Sequence, residues 1–120
     1  LSEGDAMLHT VSLKENHVFR RLYHRGNSAA NRYLVFYCRP NGSKQSRLGF
    51  TVSTKLGHAV VRNRVRRRLR EIYRLHEAEF KPGVDLVVVA RSASVDAEFS
   101  ALEQAFLQLA RRLSLTEQAQ

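Results

Sequence analysis

The segment from Lys55 to Arg74 constrains this chain more than any other. It carries Lys55, Arg62, Arg64, Arg66, Arg67, Arg68, Arg70 and Arg74 against the single carboxylate of Glu71, a net +7 in a 120-residue chain whose total is +9. At 100° per residue, Val61, Val65, Leu69, Ile72 and His76 fall within roughly 80° of arc, and Arg66, Arg67, Arg70 and Arg74 lie about 100° to 200° round from Val65. The pattern predicts one long helix, from about His58 to Phe80, with one apolar face and one cationic face. One carboxylate cannot neutralise eight cations, and their repulsion along ~20 residues is a standing cost that an anionic partner relieves. Asn63 lies on the cationic side and can both donate and accept toward a base or ribose. Sixteen of the 20 basic residues are arginine. A guanidinium grips phosphate bidentately or stacks on bases, so this bias favours specific nucleic-acid docking over diffuse solubilising charge.

The rest of the chain has to supply the core. With 43% hydrophobic residues, 120 residues suffice for one domain but not for two independent ones. Leu13, Val18, Phe19, Leu22 and Tyr23 recur at helical spacing before Gly26, which predicts a short helix. Arg32 to Arg39 is rich in aromatic and β-branched residues and runs into the turn Pro40-Asn41-Gly42-Ser43, so a second strand over Arg47 to Ser53 is expected to pair with it as a hairpin. Lys81-Pro82-Gly83 announces Val84 to Ala90, which reads as a buried strand. The last helix, from about Asp96 to Leu113, aligns Phe99, Leu102, Phe106, Leu109 and Leu113 on one face, with Arg111 and Arg112 at the negative end of its dipole. The order helix, strand, strand, helix, strand, helix implies an α+β or α/β sandwich with helices against one sheet. Residues 1–12 lack periodicity and are expected to form a flexible N-terminal arm or a loosely attached edge, ahead of a single RNA-binding domain over 13–114 and a tail over 115–120.

Other functional classes find little support. A single cysteine, Cys38, excludes an internal disulfide framework and multi-cysteine zinc sites, and reads as a small buried hydrophobe in a reducing setting. The longest nearly apolar run, Val84 to Ala90, is far shorter than the ~20 residues of a spanning helix, and no basic apolar leader opens the sequence. A cytoplasmic location without membrane attachment is therefore expected. His76-Glu77-Ala78-Glu79-Phe80 lacks the second histidine of a zinc helix, no phosphate-binding loop occurs, and His17, His24 and His58 are weak candidates for a catalytic base. No catalytic residue, metal ligand or protein-bound cofactor is expected.

A second set of residues suits RNA. Phe19 and Tyr23 stand four apart on a helix face, offset by one residue from Val18 and Leu22, so one pair can enter the core as the other faces outward. Tyr37 would share a strand face with Tyr33, Val35 and Arg39, opposite Leu34, Phe36 and Cys38. Aromatic rings beside arginines accept single-stranded RNA of any sequence, at ~1–3 kcal/mol per stacked base. Plain core aromatics would show the same pattern.

The motif Lys55-x-Gly57-x-Ala59-Val60-x-Arg62-Asn63-x-x-Arg66-Arg67-x-x-Arg70-Glu71 resembles the signature of the bacterial ribonuclease P protein component family. The similarity continues through Leu13-Lys14 with Phe19, Tyr23 and Gly26, through Ala30-Asn31-Arg32, Leu48-Gly49-Phe50 and Val52-Ser53, and through Gly83 to Val87 with Ala90-Arg91. The noticed departure is Arg66, where the family often carries lysine, and charge is kept. The resemblance implies an α+β fold, a two-layer sandwich of a small mixed sheet with three helices, and a left-handed βαβ crossover against the usual right-handed rule. It also implies a protein subunit that binds a catalytic RNA and the 5′ leader of precursor tRNA, so that the assembled ribonucleoprotein removes the leader by phosphodiester hydrolysis. The RNA would supply the active site and hold the Mg2+ ions, with no obligate protein partner. Carried over by position, Lys55, Arg62, Asn63, Arg64, Arg66, Arg67, Arg68, Arg70 and Arg74 would face the catalytic RNA, and Phe19, Tyr23, Arg32 and Tyr37 would line the leader cleft. The runner-up is a non-enzymatic basic RNA-binding or ribosomal-type protein, which needs neither the motif nor the cleft. A protein-only nuclease is least supported, since no catalytic constellation is visible.

Overall fold

The computed structural model describes residues 7–116. In chain order the elements are β1 (Thr10–Ser12), α1 (Asn16–Arg25), β2 (Asn27–Ala30), β3 (Leu34–Pro40), β4 (Ser46–Thr51), α2 (Ala59–His76), β5 (Val84–Ala90) and α3 (Phe99–Arg112). The strands form one mixed sheet in the order β1-β4-β5-β3-β2.

β5 is the central strand because its sequence leaves no other place for it. It is apolar on both faces, and a strand that buries both faces must be flanked on both edges and covered above and below. Leu86 and Val88 join one core with Leu34, Phe36, Leu48, Val65, Leu69, Ile72, Phe106 and Leu109, under α2 and α3. Val87 faces the opposite way and packs with Leu13, Val18 and Leu22 under α1. The mixed sheet and three helices expected of an α+β sandwich are therefore present, with α1 alone closing the second face.

This position for β5 overturns the expected hairpin. β3 and β4 do not pair: β5 lies between them, antiparallel to β3 and parallel to β4. The Asn41 amide holds the gap open, its Nδ2 donating to the Gln45 carbonyl at 2.9 Å and to Asp85 Oδ1 at 3.0 Å, and its backbone N–H donating to the Gly83 carbonyl at 2.9 Å. Gly83, at φ +82°, passes so close to the Ser43 carbonyl that a Cβ would collide with it. β4 and β5 are neighbouring parallel strands connected through α2, the βαβ unit to which the expected crossover refers.

Residues 7–12 and 115–116 are tied in more closely than an arm and a tail. Thr10–Ser12 pair in parallel with Ser46–Leu48 as the sheet's edge strand, and the Leu13 N–H donates to the Leu48 carbonyl at 2.8 Å. The fastening is Glu77, 1% exposed, whose carboxylate accepts the N–H groups of Leu8 at 2.6 Å and His9 at 3.0 Å. Burial alone would push the Glu77 carboxyl up, but the Thr10 hydroxyl, the two backbone donors and the nearby His9 outweigh it and hold it below the usual carboxylate range. At the other end Leu115 is buried, its carbonyl accepts the Lys81 N–H at 2.8 Å, and Thr116 bridges Phe80. The folded unit therefore includes residues 7–12 and 115–116; the rest of the expected arm and tail, 1–6 and 117–120, lies outside the described residues.

Candidate nucleic-acid interface

α2 buries Val65, Leu69, Ile72 and Tyr73, which turns its arginines onto two flanks and an outer ridge. On the flank toward α3, Arg64 donates to the Val95 carbonyl at 3.5 Å and Arg68 to the Ala97 carbonyl at 2.6 Å. Neutral carbonyls fix these two side chains without cancelling their charge. Near the start of the helix, Arg62 Nε donates to the Gly57 carbonyl at 3.2 Å, and Lys55 stands exposed in the preceding turn. At its end Arg74 is neutralised by a bidentate contact to Glu71 at 3.0 and 2.6 Å. That contact raises the Arg74 pKa and lowers that of Glu71.

The remaining flank holds Asn63, Arg66, Arg67 and Arg70. Asn63 Oδ1 accepts Arg66 Nη2 at 2.7 Å, which orients the guanidinium along the helix and leaves the Asn63 amide group to donate elsewhere. Arg66 and Arg70 border a groove of about 520 Å3 that continues past Thr10–Lys14 and Leu48–Phe50 to Phe19. The cationic helix and the aromatic helix, assigned to separate contacts by sequence, thus share one concave surface beside strand β1.

On the α1 side, Val18 and Leu22 enter the core, whereas Phe19 is half-buried and Tyr23 is 41% exposed. The ring centroids of Phe19 and Tyr23 are 6.5 Å apart. Tyr23 meets Tyr37 edge to face at 5.0 Å and shares a 2.7 Å hydrogen bond with Thr51 Oγ1. These contacts give the platform a fixed shape before any base arrives. Its floor is Gly49, where a Cβ would stand 2.5 Å from Phe19 Cζ and 3.3 Å from Leu13 Cβ. Only a residue without a side chain lets the Phe19 ring lie on β4.

Arg32 does not belong to this platform. Asn31 Oδ1 accepts the N–H groups of both Tyr33 and Leu34, at 3.1 and 3.0 Å. This side-chain turn delays β3 by two residues beyond its expected start. Tyr33 consequently packs with the core under α2 and α3 instead of sharing the Tyr37 face, and Arg32 lies over the Tyr33 ring, 5.6 Å from its centroid, beside α3.

Two features escaped the sequence reading. Arg47 is bound bidentately to the buried Asp85, at 2.8 and 2.7 Å, with Glu15 3.6 Å away; its hydrogen bond to Asp85 raises its pKa, and its charge is spent inside the fold. His17, Arg20, Arg21, His24 and Arg25 form an exposed stripe along the outer side of α1, which their i, i+3, i+4, i+7, i+8 spacing already carries. Among the described residues, no group of three or more His, Cys, Asp or Glu side chains could hold a metal ion. Burial pushes the Cys38 thiol up to about 11, far from a reactive thiolate.

Comparison with known proteins points the same way. A family profile described as Ribonuclease P matches residues 7–114. The ribonuclease P protein component of Clostridioides difficile is 44% identical over 108 residues, covering 89% of this chain and 95% of that one. That of Alkaliphilus oremlandii is 42% identical over 107 residues, covering 89% and 94%. Among solved structures, the RNase P protein of Staphylococcus aureus superposes with a TM-score of 0.81 at 32% identity, covering 88% of this chain and 97% of that one. The Thermotoga maritima protein gives 0.78 at 32%, covering 85% and 96%.

Proposed function

Because the chain belongs to the ribonuclease P protein family, we propose that it is the RNA-binding subunit of a ribonucleoprotein that removes the 5′ leader from precursor tRNA. In this reading the flank of Asn63, Arg66, Arg67 and Arg70, extended by Lys55, Arg62, Arg64 and Arg68, binds the catalytic RNA. Phe19, Tyr23 and Tyr37 hold the single-stranded leader. The observation that carries the proposal is the single groove running from Phe19 to Arg66 and Arg70, since a strand lying in it stacks on rings at one end and meets guanidinium groups at the other.

Hydrolysis is assigned to the RNA subunit, which would hold most of the Mg2+ and with it supply the Lewis-acid chemistry. The protein's own residues neutralise phosphates, which lets two polyanions approach and raises metal occupancy at physiological salt. Arg74 is given a smaller part than its neighbours because Glu71 already neutralises it. No obligate protein partner is invoked. No described helix is long and apolar enough to cross a membrane, and a cytoplasmic site of action is proposed.

The test is cleavage of a precursor tRNA at low magnesium by a bacterial ribonuclease P RNA, with and without the protein, beside a protein-only lane. Cleavage that needs both components is the expected result. Tight RNA binding without stimulation would favour a general RNA-binding protein, and cleavage by the protein alone would reassign the chemistry.

A further inference from the structure

The displaced Arg32 borders a second groove, of about 540 Å3, between the β2–β3 turn and α3. It lies at the β2 edge of the sheet, four strand spacings or about 19 Å from the β1 edge that borders the first groove. Arg32 and Tyr33 line it from the turn, and Ala101, Gln104, Ala105, Gln108 and Arg111 line it from α3, with no carboxylate in the lining. Arg91 and Arg112 stand behind the turn and donate to the carbonyls of Asn31 at 2.9 Å and Ala30 at 3.0 Å. The guanidinium groups of Arg32, Arg91 and Arg112 therefore meet Ala30–Tyr33, Arg111 borders the same groove, and none of the four has a carboxylate partner among the described residues.

The groove is preformed. Asn31 Nδ2 donates to the Ala105 carbonyl at 3.0 Å and to Gln108 Oε1 at 2.9 Å, which pins the turn against α3. Gln108 is left with its NH2 group as a donor, and the Gln104 amide keeps both a donor and an acceptor. A cavity of this size fits one small ligand. Its wall offers an aromatic ring for a base, amides for a base edge and arginines for a phosphate.

We propose that this groove is a second RNA site, which takes one unpaired nucleotide of the partner RNA with its base against Tyr33 and the Gln104 and Gln108 amides and its phosphate between Arg32 and Arg111. The inference rests on the reading of the chain as an RNA-binding subunit and adds a contact at the opposite edge of the molecule. Two anchors about 19 Å apart would fix the orientation of the protein on its RNA, which one groove alone leaves free to pivot.

The test is chemical-shift mapping of the full chain, labelled with 15N, titrated with hexauridylate, in the parent, in Phe19→Ala/Tyr23→Ala and in Arg32→Ala/Arg111→Ala. Arg32 and Arg111 are exposed and donate no hydrogen bond to the backbone, so the last variant is expected to fold, as its unperturbed amide spectrum will show. The expected result is saturable shifts of the Gln104 and Gln108 side-chain amides that persist in Phe19→Ala/Tyr23→Ala, with affinity at this groove falling about tenfold in Arg32→Ala/Arg111→Ala. Its salt slope should fall by about 0.7, one single-strand phosphate contact. Shifts confined to α1 and α2, or equal shifts from an acidic hexapeptide, would overturn the proposal. Failure of the ribonuclease P reading shows separately, as loss of stimulated cleavage, and leaves these amide shifts in place.

Discussion

The two faces of the sheet present groups suited to different physics. α2 spans 18 residues, buries four of them and surrounds that stripe with guanidinium groups held by carbonyls, an amide and one carboxylate. α1 spans 10 residues, buries two and presents rings fixed by one another and by Thr51. In the proposed reading the first face would bind through phosphate charge, which weakens steeply with salt, and the second through stacking, which responds little to salt. A subunit proposed to grip a large folded RNA and a short variable strand together would benefit from keeping these two terms on separate helices that meet in one groove.

Substitutions on the two helices should separate the terms. Arg66→Ala, Arg67→Ala and Arg70→Ala together should weaken binding to the catalytic RNA most, lowering the slope of log K against log salt by about 2.1–2.7 at ~0.7–0.9 per lost contact. Filter binding across a salt series measures it, and an unchanged slope would remove this flank from the interface. Phe19→Ala with Tyr23→Ala should leave that slope alone while reducing affinity for leader-bearing precursor by at least about 30-fold relative to mature tRNA, two lost stacks at ~1–3 kcal/mol each. Equal losses for both RNAs would break the assignment of stacking to α1. Gly49→Ala is the sharper probe: its Cβ must displace the Phe19 ring, so leader discrimination should fall severalfold with a stability change of only about 1 kcal/mol by denaturant unfolding. Discrimination equal to that of the parent would mean that the position of Phe19 over β4 does not matter.

The smallest expected effect is a pH dependence of the α2–α3 junction. His76 stands between two carboxylate acceptors, with Nε2 2.7 Å from Glu103 Oε2 and Nδ1 3.2 Å from Glu79 Oε2. Burial alone would push the imidazole down, but these hydrogen bonds and charges outweigh it and raise its pKa above the ordinary 6.5. A folded value above the unfolded one means that the stabilisation is complete below pH 6.5 and is lost as pH rises through the folded value. Glu77 works in the opposite sense: its stabilisation is complete above 4.5 and fades as pH falls through its lowered folded value. Denaturant midpoints of the parent and His76→Gln between pH 5.5 and 8.5 should converge at the alkaline end; parallel curves would contradict the junction's role.

Strong periodicity made α2, β5 and α3 legible in the sequence, because each pairs a long segment with an unambiguous buried face. β1 and β2 were not legible: Thr-Val-Ser and Asn-Ser-Ala-Ala are short edge segments with little apolar alternation, and their pairing is set by neighbours far along the chain. The hairpin expectation assumed that consecutive strands pair, and the insertion of β5 depends on contacts between Asn41 and the Gly83–Asp85 segment that no local pattern announces. At the site, charge periodicity identified the α2 ridge, and the offset of Phe19 and Tyr23 from Val18 and Leu22 identified the platform. Arg32 was misplaced because the Asn31 side chain starts the strand two residues late. The groove joining the two helices was out of reach, since it depends on β1 and on the tertiary packing of α1 against β4.

The most direct test of that shared groove is photocrosslinking in the assembled holoenzyme, using a precursor tRNA with 4-thiouridine in its leader and peptide mapping of the product. Attachment at Phe19, Tyr23 or Tyr37, retained when the α2 arginines are intact and lost together with assembly when they are replaced, is the predicted result. Attachment on the α3 side of the sheet, or spread over exposed aromatic residues generally, would contradict the account.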